Sequence, residues 1–393
     1  MSKLEQLITE LCPDGVKYQS IKELAEVGTG RSNGNEAQEN GCFPFFIRSQ
    51  TVKSKNEWEY DEEAIIIPGE GGIGEIYHYI NGRYAIHQRV YRIHFTDNNI
   101  NAKFAFYYFR AYFKSFIIKK AVSATVKSIR KPMIEDFTIP LPPLPVQAEI
   151  VRILDNFTEL TAELTAELTA RKKQYEYYRD ELLNNKTHNG VLLKSLVKKS
   201  CSGGTPKKDN SEFYSNGTVP WLRTQDVKFN EIYKVDSFIT EKAVKKTSAK
   251  WIPANCVIVA ISGATAGRCA INKIPITTNQ HCYNMEIDET KALYKYVYYC
   301  VYSQYEELLS RKQGARGDLN STLIMGIEIP IPYPNDPNKS LEEQQRIVDI
   351  LDRFDTICND ISSGLPAEIE ARQQQYEYYR DKLLTFPKVE LEV

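Results

Sequence analysis

The string ARKKQYEYYRDELL at Ala170–Leu183 returns almost letter for letter as ARQQQYEYYRDKLL at Ala371–Leu384. The segment ahead of each copy repeats as well: QAEIVRILDNF at Gln147–Phe157 reappears as QQRIVDILDRF at Gln344–Phe354. A repeat spacing of about 200 residues is far too long for a solenoid, whose units run about 20–50 residues. The chain is therefore built twice on one plan, a globular half and a helix, then both again. A body duplicated in this way suits a target that is itself in two parts.

The helices follow from periodicity. From Ile150, apolar positions step alternately by four and three through Leu154, Phe157, Thr161, Leu164, Leu168, Arg171, Tyr175, Tyr178 and Leu182, broken only at Thr161 and Arg171. That is the stripe of a coiled-coil helix. At about 1.5 Å per residue, Gln147–Leu183 would span roughly 55 Å. Its middle carries the tetrad TAEL twice in succession, Thr161–Leu168, so that Thr165 opens the second copy. Pro140, Pro142, Pro143 and Pro145 stop any helix from reaching back into the globular half.

The second stripe runs Ile347, Leu351, Phe354, Cys358, Ile361, Leu365, Ile369, Arg372, Tyr376, Tyr379, Leu383, with one extra tetrad at Leu365. Ser363, Gly364 and Pro366 coincide with that stutter, which predicts a break at Gly364–Pro366 with Pro366 opening a new helical segment. Two amphipathic helices without other obvious partners are expected to pair antiparallel. The domain reading is residues 1–146 and 188–341 as two globular domains. Residues 147–187 form the first helix and 342–386 the second, kinked near 364–366.

The globular halves align more weakly. FPFFIRSQTV (Phe43–Val52) parallels VPWLRTQDV (Val219–Val227), and AIIIPGEGGIG (Ala64–Gly74) parallels VIVAISGATAG (Val257–Gly267). Ile86-His87-Gln88 parallels Thr278-Asn279-Gln280, and each half ends in Ile-Pro-x-Pro at Ile139–Pro142 and Ile329–Pro332. Runs of β-branched and aromatic residues bounded by Gly and Pro read as strands. Helical patches lie near Lys103–Val122 and Lys291–Arg311. The predicted class is α+β, a mixed α/β globule made twice.

Most motifs that promise chemistry fail on context. Gly69-x-Gly71-x-x-Gly74 fits the dinucleotide fingerprint, but a helix must open at the third glycine. Here the chain continues EIYHYINGRYAIHQRVYRI, so a tight strand-to-strand turn is expected. There is no P-loop, no HExxH and no methyltransferase motif of the Asn/Asp-Pro-Pro-aromatic kind. His78, His87, His94, His188 and His281 have no metal-ligand spacing. The paired acids Glu62 and Glu63 are expected to be solvated. The eight scattered cysteines read as reduced, packed thiols of a cytoplasmic protein. No apolar run is long enough to span a membrane, and the charged start is not a signal peptide. A binding part is favoured over an enzyme, and a stand-alone methyltransferase or nuclease lacks its motifs.

Charge narrows the target. The net charge of −1 conceals segregation. Between Asp97 and Glu135 lie Lys103, Arg110, Lys114, Lys119, Lys120, Lys127, Arg130 and Lys131, with no acid. Between Glu241 and Glu286 the same holds for Lys242, Lys245, Lys246, Lys250, Arg268 and Lys273. Acid-free basic stretches interleaved with aromatics, in both halves, suit a surface that tracks phosphates. A coiled-coil adaptor with protein-binding ends has no need of them. Arg48-Ser49-Gln50 and Arg223-Thr224-Gln225 offer the same three groups after a strand: Arg to grip guanine, Gln to grip adenine, and a hydroxyl for either. The same shared turn could instead be structural, since both halves keep it. Asn279 and Gln280 are further candidates. Lys127, Arg130, Lys131, Arg311, Lys312 and Arg316 suit phosphate contacts, which position without specifying.

Taken together these features resemble the specificity subunit of a type I restriction–modification system, over essentially the whole length. The resemblance rests on the two-fold plan, Ile139–Gln147, the Gln-x-x-Ile-Val-x-Ile-Leu-Asp opening at Gln147–Asp155, the TAEL tetrads and QYEYYRD. Ser202-Gly203-Gly204-Thr205-Pro206 and Pro220-Trp221-Leu222-Arg223-Thr224 are similar to openings of a target recognition domain. The first half departs from that pattern, with Gly28-Thr29-Gly30-Arg31. The resemblance implies two target recognition domains, each reading half of a bipartite double-stranded DNA sequence, spaced by paired helices. It implies a non-catalytic subunit that binds no cofactor. Two methyltransferase subunits using S-adenosylmethionine, and restriction subunits using ATP and magnesium, are the implied partners.

Overall fold

The computed structural model describes residues 3–120, 128–184, 188–311, 318–360 and 362–389. The chain divides into two compact units, Met1–Ala166 with Glu368–Val393, and Glu167–Ala367. Five helices matter below: α1 (Ala102–Tyr108), α2 (Leu144–Leu183), α3 (Tyr294–Ser303), α4 (Pro337–Asn359) and α5 (Leu365–Leu383).

In unit 1 the strands are β1 (Lys17–Ser20), β2 (Ala25–Thr29), β3 (Phe43–Phe46), β4 (Lys53–Lys55), β5 (Tyr60–Pro68), β6 (His78–Ile86), β7 (Val90–Phe95) and β8 (Thr138–Leu141). Six of them form one sheet in the order β2-β7-β5-β6-β3-β4, and β1 pairs with β8. The run Ala64–Ile67 is apolar throughout because β5 is buried on both faces. Ile65 and Ile67 join the helix-side core with Phe104 and Phe109, while Ala64 and Ile66 pack with Phe46 and Tyr84 on the other face. The turn between β5 and β6 carries Gly71, Gly72 and Gly74 at φ of 73°, 68° and 67°. It is the strand-to-strand turn expected of the glycine motif.

Glu62 overturns a sequence reading. It is not solvated: its carboxylate accepts from Arg92 Nη1 at 3.0 Å and from the Tyr84 hydroxyl at 2.7 Å. Its neighbour Glu63 accepts from the Tyr79 hydroxyl. These partners lie on β6 and β7, and strand pairing brings them together.

Unit 2 contains β9 (Asn189–Leu192), β10 (Val197–Ser202), β11 (Val219–Leu222), β12 (Asn230–Ile232), β13 (Phe238–Ile239), β14 (Trp251–Ile252), β15 (Val257–Ala260), β16 (Cys269–Asn272), β17 (Ile276–Thr278), β18 (Cys282–Ile287) and β19 (Glu328–Ile331). Two sheets, ordered β10-β18-β15-β16-β12 and β13-β11-β17-β14, accompany the pair β19-β9. Between those sheets lie Leu222, Ile252, Ile258, Ala270 and Ile276. Cys256 and Cys282 are buried, free thiols, and burial pushes both up to about 12.

Both long helices begin earlier than the expected 147 and 342. Helix α2 starts at Leu144, with Pro145 in its first turn, and α4 starts at Pro337 behind Asp336, whose side chain accepts the Lys339 N–H at 3.1 Å. Proline is compatible with a first turn because that N–H has no intrahelical partner there. Helix α4 stops at Asn359 and α5 resumes at Leu365. Ile361, part of the second stripe, lies outside the described residues.

Each unit holds lengths of two helices side by side. In unit 1, Phe157 stacks on Tyr379 at 5.7 Å. In unit 2, Tyr178 stacks on Phe354 at 5.8 Å, and Leu182 shares a groove with Glu343 and Arg346, so α4 runs antiparallel to α2. Thr161, Leu164 and Leu168 are half-buried along the stripe. Thr161 and Thr165 turn their hydroxyls back onto the helix, donating to the carbonyls of Phe157 and Thr161 at 2.8 and 2.7 Å. Tyr175 is buried in the core of unit 2 and Tyr376 in that of unit 1, at 4% and 7% exposure.

The globules grip these helices by the same two contacts. Gln147 is fully buried; its amide donates to the carbonyls of Asn99 and Pro142 at 2.8 and 2.7 Å and accepts the Asn101 N–H at 2.8 Å. Gln344, equally buried, accepts the Leu293 N–H at 2.9 Å. Asn101 and Leu293 are the residues that cap α1 and α3. Further along, Asp155 takes Lys103 at 2.7 Å and the Tyr107 hydroxyl at 2.6 Å; Asp352 takes Lys295 and Tyr299 at the same distances.

Removing the Gln147 amide strands the buried Pro142 carbonyl and two part-buried backbone groups, the Asn99 carbonyl and the Asn101 N–H. Gln147→Ala is therefore expected to lower the stability of unit 1 by about 2–4 kcal/mol. Urea unfolding followed by amide hydrogen exchange in α1 and β8 checks this, with unit 2 protected as in the parent.

Candidate nucleic-acid interface

The two Arg-hydroxyl-Gln turns are placed by parallel strand pairs. Phe46 on β3 pairs with Ile86 on β6, and Leu222 on β11 with Thr278 on β17. Just beyond, the His87 N–H donates to the Phe46 carbonyl at 2.9 Å, and the Asn279 N–H donates to that of Leu222 at 2.9 Å. A third segment joins in each unit: the Gly69 N–H donates to the Arg89 carbonyl, and the Ile261 N–H to the His281 carbonyl, both at 2.9 Å. A fourth closes the set, with Ile129 N–H on the Gly69 carbonyl and Leu319 N–H on that of Ile261, both at 2.8 Å. Four segments far apart in sequence thus converge twice in one way.

The first half's departure from the glycine pattern is only apparent. A Cβ on Gly30 would lie 1.8 Å from the Ile86 carbonyl oxygen, and one on Gly203 would lie 2.1 Å from that of Thr278. Both glycines let the chain pass over the same point of the parallel pair.

In unit 1 the convergence gathers cations. Arg48 Nη1 and Arg89 Nη1 share the Glu70 carboxylate at 3.3 and 2.8 Å, and this pairing holds Glu70 below the usual carboxylate range. The Ile129 contact sets exposed Arg130 beside them. Burial, and then the nearby Arg48 and Arg89 cations, push the His87 imidazole down. Its Nδ1 accepts the Arg89 N–H at 3.0 Å, which fits a neutral ring. Burial likewise depresses His78, which donates from Nε2 to the Ser49 carbonyl at 3.3 Å.

The remaining candidates are distributed as follows. Ser49 closes its own turn, its hydroxyl accepting the Thr51 N–H at 2.9 Å. Gln50 and Gln225 are exposed, and the Thr224 carbonyl accepts the Val227 N–H at 3.2 Å. The Arg223 N–H donates to Asp226 at 3.0 Å, so Asp226 shapes that turn while the Arg223 guanidinium is half-buried with its Nε unpartnered among the described residues. Asn279 is 8% exposed, and its side-chain carbonyl accepts the His281 N–H at 3.1 Å. Gln280 accepts from the Thr205 hydroxyl. Lys131 lies 3.5 Å from Glu135, and Arg311 pairs with Glu307 on its own helix. Lys127, Lys312 and Arg316 lie outside the described residues. Glu70, Arg89 and His281 were absent from the sequence candidates, although the alignment of Ile86–Gln88 with Thr278–Gln280 stopped one residue short of the last two.

Among the described residues no group of His, Cys, Asp and Glu could hold a metal ion, and no helix is long and apolar enough to cross a membrane. Comparison with known proteins gives these surfaces a context. The profile of the type I restriction modification DNA specificity domain matches twice, at residues 13–174 and 185–371.

The chain belongs to that family.

The specificity subunit of EcoR124I/EcoR124II from Escherichia coli is 42% identical over 255 residues, 63% of this chain and 61% of that protein. A putative type I restriction enzyme specificity subunit of Haemophilus influenzae is 28% identical over 393 residues, 94% of this chain and 96% of the relative. The crystal structure of the type I S subunit from M. genitalium superposes with a TM-score of 0.61 at 15% identity, covering 94% of this chain and 96% of that one. A chain from a study of type I R-M complex assembly gives 0.62 at 13% identity, over 95% and 98% of the two chains. The shared fold is that of a specificity subunit, with two mixed α/β domains and paired long helices.

The depressed histidines of this specificity subunit have a sign that can be checked. Free imidazole takes its proton near pH 6.5, but His78 and His87 resist it in the fold. The unfolded state therefore binds more protons below pH 6.5, and stability falls as the pH drops from there through the folded values. Imidazole C2-proton NMR titration should place both midpoints below that of a denatured reference.

Proposed function

We infer that this chain is the DNA-sequence-recognition subunit of a type I restriction–modification complex and performs no catalysis itself. Each unit reads one part of a gapped, bipartite duplex target. The long helices set the gap and receive two methyltransferase subunits, and restriction subunits join through that complex. S-adenosylmethionine, ATP and magnesium belong to those partners. The observation that carries the reading is the duplicated convergence of four segments on a parallel strand pair, in a chain that matches a DNA specificity domain twice. Arginines at such a surface can grip guanine, and neighbouring cations can neutralise phosphates. Co-expression with the methyltransferase subunit, followed by genome-wide mapping of methylated adenines, is expected to return one gapped sequence. Methylation scattered without a motif would defeat the proposal.

Each TAEL tetrad adds about 6 Å to a helix, against roughly 3.4 Å per base pair of duplex. Deleting Thr165–Leu168 is therefore expected to shorten the unread gap by about one or two base pairs while both half-sequences persist. The methylation map of the deletion variant reads this directly, and an unchanged gap would refute a ruler role. Because Asp226 shapes the turn that carries Arg223, Arg223→Ala is expected to fold and to relax one position of one half-site by about 1–3 kcal/mol. A misfolded product with intact specificity would instead make the shared turn structural.

A further inference from the structure

We propose that Arg89, held on Glu70, is a specificity-determining residue of unit 1, and that His281 occupies the same place in unit 2. This rests on the DNA-recognition reading above and goes further by naming which side chain of each surface discriminates. The argument comes from comparing three-residue segments that follow β6 and β17, His87-Gln88-Arg89 and Asn279-Gln280-His281.

The first two positions are committed to holding the surface together. His87 Nδ1 and Asn279 Oδ1 each accept the N–H two residues onward, at 3.0 and 3.1 Å. Gln88 Nε2 donates to Asn33 Oδ1 at 2.9 Å, and Gln280 Oε1 accepts from the Thr205 hydroxyl. Asn33 and Thr205 both lie just past the glycines that cross the strand pair, so both glutamines tie this segment to the same neighbouring loop. At the third position the backbone is fixed identically, each carbonyl accepting an N–H at 2.9 Å. Only the side chain differs. A fixed backbone with an interchangeable side chain is what two readers of different half-sequences require.

The chemistry of the third side chain fits base reading. The Arg89 side chain is 56% exposed and spends Nη1 on Glu70 at 2.8 Å. That leaves the edge formed by Nε and Nη2, a fork matched to O6 and N7 of guanine. Arg48, on the same carboxylate at 3.3 Å, brings a second cation alongside. In unit 2 the residue at the place of Glu70, next after the Ile261 that bonds the third carbonyl, is Ser262, which offers no carboxylate. His281 rests its Nε2 3.0 Å from Gln280 Nε2. The two ring nitrogens of an imidazole point away from each other, so His281 cannot present the parallel donors of the arginine fork. The two units are built to prefer different bases at equivalent places.

The test uses the full chain co-purified with its methyltransferase subunit, with methylated adenines mapped genome-wide. Arg89→Ala should make one base position degenerate in one half-site, discrimination there falling about 10- to 100-fold, while the other half and the gap stay intact. His281→Ala should do the same in the opposite half. Glu70→Gln should relax the Arg89 position to a smaller degree. Should Arg89→Ala fail to fold, Arg89→Lys decides, because it keeps the charge and loses the fork. The proposal is overturned if Arg89 variants lower methylation at every site with both half-sequences unchanged, the mark of a phosphate contact. It is equally overturned by unaltered maps, or if Arg89 and His281 variants affect the same half. A parent complex that yields no gapped motif would defeat the functional reading itself, before any variant is compared.

Discussion

A buried glutamine amide, used twice, is the contact on which this architecture depends. Gln147 and Gln344 have no exposed surface, and each accepts the backbone N–H of the residue that begins a helix of its globule. A buried amide left unpaired is costly, so the long helix can sit against its globule in only one register. Asp155 and Asp352, eight residues farther along their helices, take a lysine and a tyrosine at matching distances. One anchor fixes position and the second fixes rotation. Whatever the recognition loops carry, they are presented from a base that does not turn.

The second constraint is that neither core is completed by its own repeat. Tyr175, from the first copy of QYEYYRD, is buried with the residues of unit 2, and Tyr376, from the second copy, with those of unit 1. Arg179 and Arg380 lie over these rings at 5.8 and 5.9 Å. The hydroxyls of both tyrosines are buried without a partner among the described residues. The two strings thus serve the same purpose, each burying its tyrosine under its own arginine in the core.

How much of this the sequence disclosed depended on the range of the interaction. The repeats and heptad stripes were legible because periodicity survives in one dimension, and helix-unfriendly residues stood where α4 ends and α5 begins. The start of α2 was misjudged because Pro145 read as a barrier, whereas a first turn accepts it; α4 likewise opens on Pro337 behind the Asp336 cap, ahead of the repeat that marked it in the sequence. Glu62 looked solvated because Arg92, which neutralises it, is thirty residues away on another strand. Glu70 and Arg89 stayed hidden for the same reason: their neighbourhood exists only after β5, β6 and β7 have paired. The Arg-hydroxyl-Gln turns were visible as a pattern. That Ser49 and Asp226 shape those turns shows only in the folded chain.

The C-terminal segment carries a consequence for biosynthesis. Beyond α5, the Val16 N–H donates to the Pro387 carbonyl at 2.9 Å and the Tyr18 hydroxyl to that of Phe386 at 3.0 Å, while Leu384 and Phe386 complete the core of unit 1. Domains emerging from a ribosome ordinarily fold in the order they are made. Here the unit translated first must wait for the segment beyond α5 to be made, and the unit translated second can close before it. Until then the nascent first unit keeps an apolar face open to water, so closure of its core is tied to synthesis of the whole of the second unit.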